Sequence, residues 1–216
     1  MGKLITRDVR KTFKIRASGR STDFISPSFG YGCLYNCSYC YMKRHKDKGL
    51  SVAVNTGDIL TEINNHAIRF SLMPQHKSDL HEPGTSKIID RIKAIDAFVD
   101  AGYDVHVNYS PIIVYDGWLQ DYEYIFDMMN DYVKYKDQVL AECIFLTHNF
   151  KKHVINLGRN PDTEIDLWVL DKQEIKKSQY GGENVRYKLG MKSEYIRQFR
   201  EIHNLKVPWN TIRYIF

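Results

Sequence analysis

The stretch KIIDRIKAIDAFVDAGYDVHVNYSPIIV, residues 87–114, decides the fold class of this chain. Its first half predicts an amphipathic helix over 87–101, because apolar residues recur there at helical spacing. These residues are Ile88, Ile92, Ile95 and Phe98. Thr85 and Ser86 are capping candidates before this helix, and Gly102 follows it. The second half, VHVNYSPIIV, is a β-branched run that predicts a strand.

The same order of elements continues along the chain. A second helix is predicted from one apolar face, made by Trp118, Tyr122, Ile125, Phe126 and Met129. LAECIFLTHN then predicts a strand, KKHVINL a helix, residues 193–203 a helix and IRYIF a last strand. Upstream, residues 57–66 predict a helix and IRFSLM a strand. Alternating strands and helices imply a parallel sheet, and we expect one α/β domain over residues 1–216.

Composition and charge set broad limits on function. The 216 residues are 43% hydrophobic, which is typical of a globular protein, and the net charge of +5 is compatible with a polyanionic partner without requiring one. The basic N-terminus MGKLITRDVRKTFKIR is not followed by an apolar stretch. We therefore expect a cytoplasmic protein without a signal peptide or a membrane contact.

Three of the four cysteines lie within eight residues, at Cys33, Cys37 and Cys40, while Cys143 lies in the predicted strand AECIFL. This distribution is a poor disulfide framework and favours metal binding or catalysis. Spacings of four and three residues allow a loop to bind three irons of a cubane cluster and leave the fourth iron open. Gly30 and Gly32 precede the first cysteine, and glycine allows backbone dihedral angles that could bring the three cysteines around one cluster.

A zinc site is the alternative reading of the same cysteines. The three thiolates would then be joined by His45 or His66 as the fourth ligand. Structural zinc sites mostly pair their cysteines closely, unlike this loop. Cys143 is expected to be a core residue in either case.

The string GCLYNCSYCY, residues 32–41, resembles the signature of the radical S-adenosylmethionine (SAM) superfamily, including the aromatic Tyr39 before the last cysteine. The resemblance implies a [4Fe–4S] cluster on Cys33, Cys37 and Cys40. In that superfamily the open iron binds SAM, and an electron from a donor such as flavodoxin or ferredoxin releases a 5′-deoxyadenosyl radical.

Beyond this loop, HEPGTSK at 81–87, AGYDVHVNYSPIIVYDGW at 101–118 and the closing IRYIF resemble the spore photoproduct lyase family over nearly the whole chain. The resemblance implies a partial (β/α) barrel. It also implies a lyase that repairs a UV-induced thymine lesion, with DNA as the candidate substrate. An RNA base or a peptide is an alternative substrate, and a non-catalytic, zinc-stabilised nucleic-acid-binding module is an alternative function.

Three tyrosines match positions to which that family assigns a role. Tyr39 and Tyr41 fall on the tyrosines proposed to relay hydrogen back to SAM, although Tyr39 could pack on the cofactor and Tyr41 in the core. The turn SQYGGENVRY resembles the family's Arg-Tyr-Gly turn, which touches the damaged dinucleotide. Tyr180 matches its tyrosine, whereas Gln179 replaces its arginine.

The resemblance also indicates a missing segment. Family members carry about two further βα units, each of roughly 30 residues, between the positions of His66 and Ile68. That segment holds the family's hydrogen-donor cysteine, whose place Cys143 does not take. A naturally shortened homologue, an engineered deletion and a sequence that omits part of a longer protein would all explain the junction.

Scattered polar and aromatic residues complete the candidates. Seven cations could neutralise phosphates, although most of them are as well explained by a solvated face: Lys87, Arg91, Lys93, Lys151, Lys152, Arg186 and Arg213. Four residues at predicted loop or strand ends could serve catalysis, or equally caps and packing: His81, Glu82, Asp116 and Trp118.

Overall fold

The computed structural model describes residues 4–7, 30–31, 50–53, 68–158, 167, 170–177 and 183–216. A parallel sheet of four strands organises the larger part of them, in the order β4–β5–β6–β9. The strands are β4 (Ile68–Leu72), β5 (Val105–Ile112), β6 (Val139–Phe145) and β9 (Ile212–Ile215). The predicted parallel sheet is confirmed.

Helices connect these strands. They are α1 (Gln75–His81), α2 (Ile88–Asp100), α3 (Trp118–Tyr132), α4 (Phe150–Leu157) and α5 (Met191–Lys206), with short 3₁₀ turns at Lys136–Gln138 and Leu170–Lys172. Among the described residues, no helix is both long enough and apolar enough to cross a membrane.

Two smaller sheets complete the described structure. The first contains β1 (Leu4–Arg7), β2 (Gly30–Tyr31) and β3 (Leu50–Ala53) in the order β1–β3–β2. The second is an antiparallel hairpin of β7 (Gln173–Lys177) and β8 (Glu183–Tyr187). Within the described strands, β4 ends the parallel sheet on one side. An open edge at this strand is what the predicted partial barrel requires.

The core lies between one face of the parallel sheet and helices α2, α3 and α5. Val107, Tyr109 and Cys143 point to this side from the strands and are fully buried. The predicted apolar faces of α2 and α3 also lie there, since Ile88, Ile92, Ile95, Trp118, Tyr122, Ile125, Phe126 and Met129 are all buried. Alternation along β4 and β5 therefore places their polar residues on the opposite face, where Glu142 of β6 also lies.

The predicted capping of α2 is wrong. The helix begins at Ile88, and neither Thr85 nor Ser86 caps it. Instead, the side-chain oxygen of Gln75, from α1, accepts the backbone N–H of Ile88 at 2.7 Å. Thr85 donates its hydroxyl hydrogen to the carbonyl of Glu82 at 2.8 Å. A cap supplied thirteen residues upstream leaves no local signal in the sequence.

Candidate functional site: a polar sheet face and a basic hairpin groove

The polar face of the parallel sheet is centred on Glu142. The side chain of this residue has no solvent exposure, although it carries a carboxylate. Arg69 of β4 approaches Oε2 at 2.8 Å, and Arg213 of β9 approaches Oε1 at 3.2 Å. His106 of β5 lies 3.3 Å from the same Oε1. Tyr214, also on β9, contacts Glu142 as well. Side chains from the three other strands of the sheet thus meet at Glu142 of β6.

These contacts keep Glu142 ionised. Burial raises the pKa of the carboxyl, but hydrogen bonds from His106 and Tyr214 and the charge of Arg69 outweigh burial. The pKa of Glu142 therefore lies below its ordinary value. The pKa of Tyr214 is raised, mainly by burial and then by its hydrogen bond to Glu142. The sequence analysis named Arg213 as a possible phosphate contact. In the structure, its guanidinium instead pairs with the buried carboxylate of Glu142.

Asn108 lies next to this cluster on the same face. In the sheet register it pairs with Ser71 on one side and with Glu142 on the other. Its Oδ1 atom is buried and accepts no hydrogen bond from any residue that the structure describes. A buried carbonyl oxygen without a donor is costly, so this position suits a ligand that brings an N–H group.

A basic groove of about 650 Å³ lies beside the β7–β8 hairpin. We call it the hairpin groove. It is lined by Thr147, Lys176, Val185, Arg186, Tyr187, Lys188, Leu189, Gly190, Lys192, Ser193 and Phe216. Four of these residues are cations. Phe216 follows β9 and Thr147 follows β6 by two residues, so the groove lies at the carboxyl edge of the parallel sheet, where barrel proteins place their chemistry.

Two hydrogen bonds attach the hairpin to this edge. The hydroxyl of Tyr187 donates to the carbonyl of Leu146 at 2.7 Å, and the backbone N–H of His148 donates to the side chain of Gln173 at 2.7 Å. Tyr187 is almost fully buried, and burial raises the pKa of its phenol. Tyr187 thus lines the groove and also links the hairpin to the residue that follows β6.

One carboxylate borders the cations of the groove. Glu174 lies 3.0 Å from the ammonium of Lys176 and accepts the backbone N–H of Leu189 at 3.1 Å. The hydrogen bond from Lys176 is the main reason why the pKa of Glu174 is lowered. Arg186 and Lys188 make no comparable ion pair in the described part of the chain and are exposed. Positive charge therefore prevails in the hairpin groove.

Several candidates from the sequence have structural roles instead. Arg91 is largely buried and pairs with Glu82 at 2.8 Å, while also donating to the carbonyl of Ser71 at 3.0 Å. Lys87 pairs with Asp79 at 2.7 Å, and the ammonium of Lys93 lies 4.7 Å from the ring centre of Tyr132. These three cations do not join the hairpin groove.

The candidates at loop and strand ends also have structural roles. His81 is the last residue of α1 and is buried, and Trp118 begins α3 and packs in the core. Asp116 lies in the turn before α3. Of the predicted phosphate contacts whose side chains are described, only Arg186 lines the hairpin groove. The structure adds Lys176, Lys188 and Lys192, which sequence reasoning missed.

The predicted cluster and substrate residues lie outside the described part of the chain. This applies to Cys33, Cys37, Cys40, Tyr39 and Tyr41. It also applies to Tyr180 and Gln179, to the zinc alternatives His45 and His66 and to the helix candidate 57–66. Tyr180 belongs to the connection between β7 and β8, whose strands are described. Lys151 and Lys152 lie in α4, with side chains outside the described set.

Comparisons with known proteins agree on one family. The sequence model described as spore photoproduct lyase matches residues 61–216. A spore photoproduct lyase of Bacillus subtilis (strain 168) is 28% identical over 142 residues, which are 64% of this chain and 38% of the relative. One of Clostridium acetobutylicum is 30% identical over 158 residues, 70% of this chain and 45% of the relative. The chain thus spans less than half of these relatives.

Solved structures show the same fold. A spore photoproduct lyase double mutant with bound AdoMet and dinucleoside spore photoproduct superposes with a TM-score of 0.76 at 19% identity, covering 99% of this chain and 82% of that one. A spore photoproduct lyase complexed with dinucleoside spore photoproduct gives the same values. The predicted fold class, a partial α/β barrel, is confirmed.

Proposed function

Because the chain belongs to the spore photoproduct lyase family, we propose that it is a radical SAM lyase that repairs a thymine lesion in DNA. The observation that carries the proposal is the hairpin groove, a basic channel at the carboxyl edge of the sheet. The connection that contains Tyr180 joins the two strands beside it. We also propose that residues 1–216 form one domain, which the match of 99% of the chain to one fold supports.

The donor set suits a [4Fe–4S] cluster. Cys33, Cys37 and Cys40 supply three thiolates at the spacing that leaves one iron open. Cys143 is fully buried among core residues, and burial raises the pKa of its thiol, so we exclude it as a fourth ligand. Within the described ranges, no group of three His, Cys, Asp or Glu residues is placed to bind a metal.

In this proposal, the polar sheet face offers SAM a hydrogen-bond acceptor. The unsatisfied Oδ1 of Asn108 can accept a hydrogen bond from an N–H group, and SAM carries such donors on its amino group and its adenine. When bound, the cluster and SAM supply the one-electron chemistry that yields a 5′-deoxyadenosyl radical. The ion pairs of Glu142 hold the four strands of this face together and so keep Asn108 in position.

The chain's own residues then have separate tasks. In this proposal, Arg186, Lys188 and Lys192 neutralise phosphates along the hairpin groove, which positions the nucleic acid without reading its sequence. Tyr180 contacts the damaged dinucleotide from the hairpin connection. Tyr39 and Tyr41 return hydrogen at the reacting centre. An external one-electron donor such as flavodoxin or ferredoxin reduces the cluster.

Anaerobic reconstitution tests the proposal. We expect about four irons per chain, and dithionite with SAM should release 5′-deoxyadenosine. A synthetic dinucleoside lesion, which lacks the linking phosphate, should be converted to two thymidines, identified by mass spectrometry. Zinc in place of iron after anaerobic purification would instead support the non-catalytic zinc module. Consumption of SAM with an RNA or peptide product would retain the radical chemistry and reject the DNA lesion as substrate.

A further inference from the structure

We propose that Leu189 is an apolar wedge that enters the base stack of duplex DNA bound in the hairpin groove. The inference rests on the proposed function, since it requires nucleic acid in that groove. Leu189 is 88% exposed, more than any other large apolar side chain in the described part of the chain. It also lines the groove itself. A leucine in this position gains no stabilisation from burial in the folded core.

A rigid turn presents the Leu189 side chain. The backbone N–H of Leu189 donates to Glu174 at 3.1 Å, and that of Lys188 donates to the carbonyl of Lys172 at 3.1 Å. The N–H of Met191 closes the turn by donating to the carbonyl of Lys188 at 3.1 Å. Gly190 has a φ of +83°, which a residue with a Cβ rarely adopts. The exposed leucine is therefore fixed by backbone hydrogen bonds rather than carried on a loose loop.

Cations surround this leucine. Lys188 precedes it directly, Lys192 follows three residues later, and Arg186 lies on the adjoining strand β8. A single exposed leucine is ordinary on a protein surface. A leucine on a fixed turn among phosphate-binding cations is the arrangement with which DNA-bending proteins unstack a base step. Phosphate contacts would bring the duplex to the groove, and Leu189 would occupy space between its bases.

This arrangement fits a repair enzyme that works on a base. An enzyme that reaches a base inside a duplex must first take it out of the stack, and this costs the free energy of unstacking. Burying a leucine side chain between the neighbouring bases offsets part of the cost. Leu189 is accordingly a positioning residue: it would act on the neighbours of the lesion and leave the chemistry to the reacting centre.

The test uses the reconstituted protein and a short duplex that carries 2-aminopurine beside a thymine mismatch. The fluorescence of 2-aminopurine rises when it unstacks, and binding by the wild type should produce this rise. Leu189→Ala should lose at least about half of the rise and bind the duplex about three- to tenfold more weakly, since less apolar area is buried. Leu189→Phe should retain the rise. Leu205→Ala is the matched control, because Leu205 is 76% exposed on α5 and does not line the groove.

The outcomes separate the wedge from the groove. Leu189→Ala should keep the wild-type dependence of affinity on salt, because it removes no charge. If Leu189→Ala raises the fluorescence as much as the wild type does, the proposed wedge role of Leu189 is wrong, whereas the proposal that DNA binds in the hairpin groove is unaffected. If the wild type shows no salt-dependent binding to the duplex, the groove fails and the wedge fails with it. An unchanged melting temperature of Leu189→Ala would exclude misfolding as the cause of any loss.

Discussion

The hydroxyl of Tyr214 donates a 2.6 Å hydrogen bond to Oε2 of Glu142, a carboxylate that has no solvent exposure. A charge buried in this way is stable only when it is paired and hydrogen-bonded. Tyr214 lies on β9 and Glu142 on β6, so the bond joins the last strand of the chain to the centre of the sheet. Arg69 completes the site from β4, where its guanidinium also donates to the Tyr214 hydroxyl at 3.2 Å.

Replacing Glu142 should therefore destabilise the fold. Glu142→Gln leaves two guanidinium groups beside a neutral amide, and loss of one partner from a buried pair costs about 3–5 kcal/mol of unfolding free energy. Urea denaturation measures this change. Glu201→Gln is the matched control, since Glu201 pairs with Arg197 on an exposed face of α5 and should change stability little. Equal effects of the two substitutions would contradict the role given to Glu142.

The same carboxylate predicts how stability depends on pH. The folded-state pKa of Glu142 is lowered, so the unfolded chain takes up its proton at higher pH than the folded chain does. The stabilisation is complete above the unfolded pKa, near 4.5, and is lost as pH falls through the lower folded pKa. Denaturation curves of the wild type and Glu142→Gln should converge in acid. A constant difference between the two proteins at all pH values would reject this assignment.

Two buried tyrosines should respond differently to loss of their hydroxyls. The Tyr109 hydroxyl donates to Oδ1 of Asn210 at 3.0 Å, whereas the buried Tyr122 hydroxyl has no hydrogen-bond partner within the described ranges. Tyr109→Phe should cost about 1 kcal/mol, and Tyr122→Phe should be neutral or stabilising, because it removes an unsatisfied polar group. Thermal unfolding of the two variants checks the order. A larger loss for Tyr122→Phe would show that its hydroxyl has a partner.

The hairpin groove predicts charge-dependent binding of nucleic acid. Arg186→Ala and Lys188→Ala should each weaken binding and reduce the slope of log affinity against log salt by about 0.9 for duplex DNA. Fluorescence anisotropy at several salt concentrations gives this slope. Lys93→Ala serves as control, because the Lys93 ammonium lies over the Tyr132 ring and does not line the groove. A slope that stays unchanged in both groove variants would place the phosphates elsewhere.

The three cysteines of the loop and Cys143 should differ in their effect on iron binding. Cys33→Ala, Cys37→Ala and Cys40→Ala should each lose most of the iron and the visible absorbance of reconstituted protein, because each removes one of three thiolate ligands. Cys143→Ala should keep the iron, since Cys143 lies in the core at 0% exposure. Its cost should be limited to a lower free energy of unfolding. Loss of iron in Cys143→Ala would make it a ligand.

Local sequence patterns were sufficient to predict helices α2 to α5 and the strands of the parallel sheet. The 3.6-residue spacing of Ile88, Ile92 and Ile95 predicted a helix that the structure confirms, and β-branched runs predicted the strands. Cys143 was correctly assigned to the core. These features depend on neighbours a few residues apart along the chain, which is why they could be recognised without the fold. The cysteine loop also has a local pattern, and its role stays a prediction.

Contacts between distant residues could not be found in this way. Gln75 caps α2 from another helix, and Arg213 binds Glu142 across a separation of 71 residues. The cations of the hairpin groove come from β7, β8, the turn after β8 and the start of α5, and Lys176 joins the others only when β7 pairs with β8.

The sequence by itself thus determined helices α2 to α5, the four strands of the parallel sheet and which family the chain resembles, but not α1 or the β7–β8 hairpin. Only the tertiary structure decided which charges are buried and which are available to a ligand. Arg186 and Arg213 look alike as sequence, but one is exposed in the hairpin groove and the other pairs with a buried carboxylate. The physical reason is that the energy of a charge depends on its solvent exposure and on partners that are brought near it only by folding.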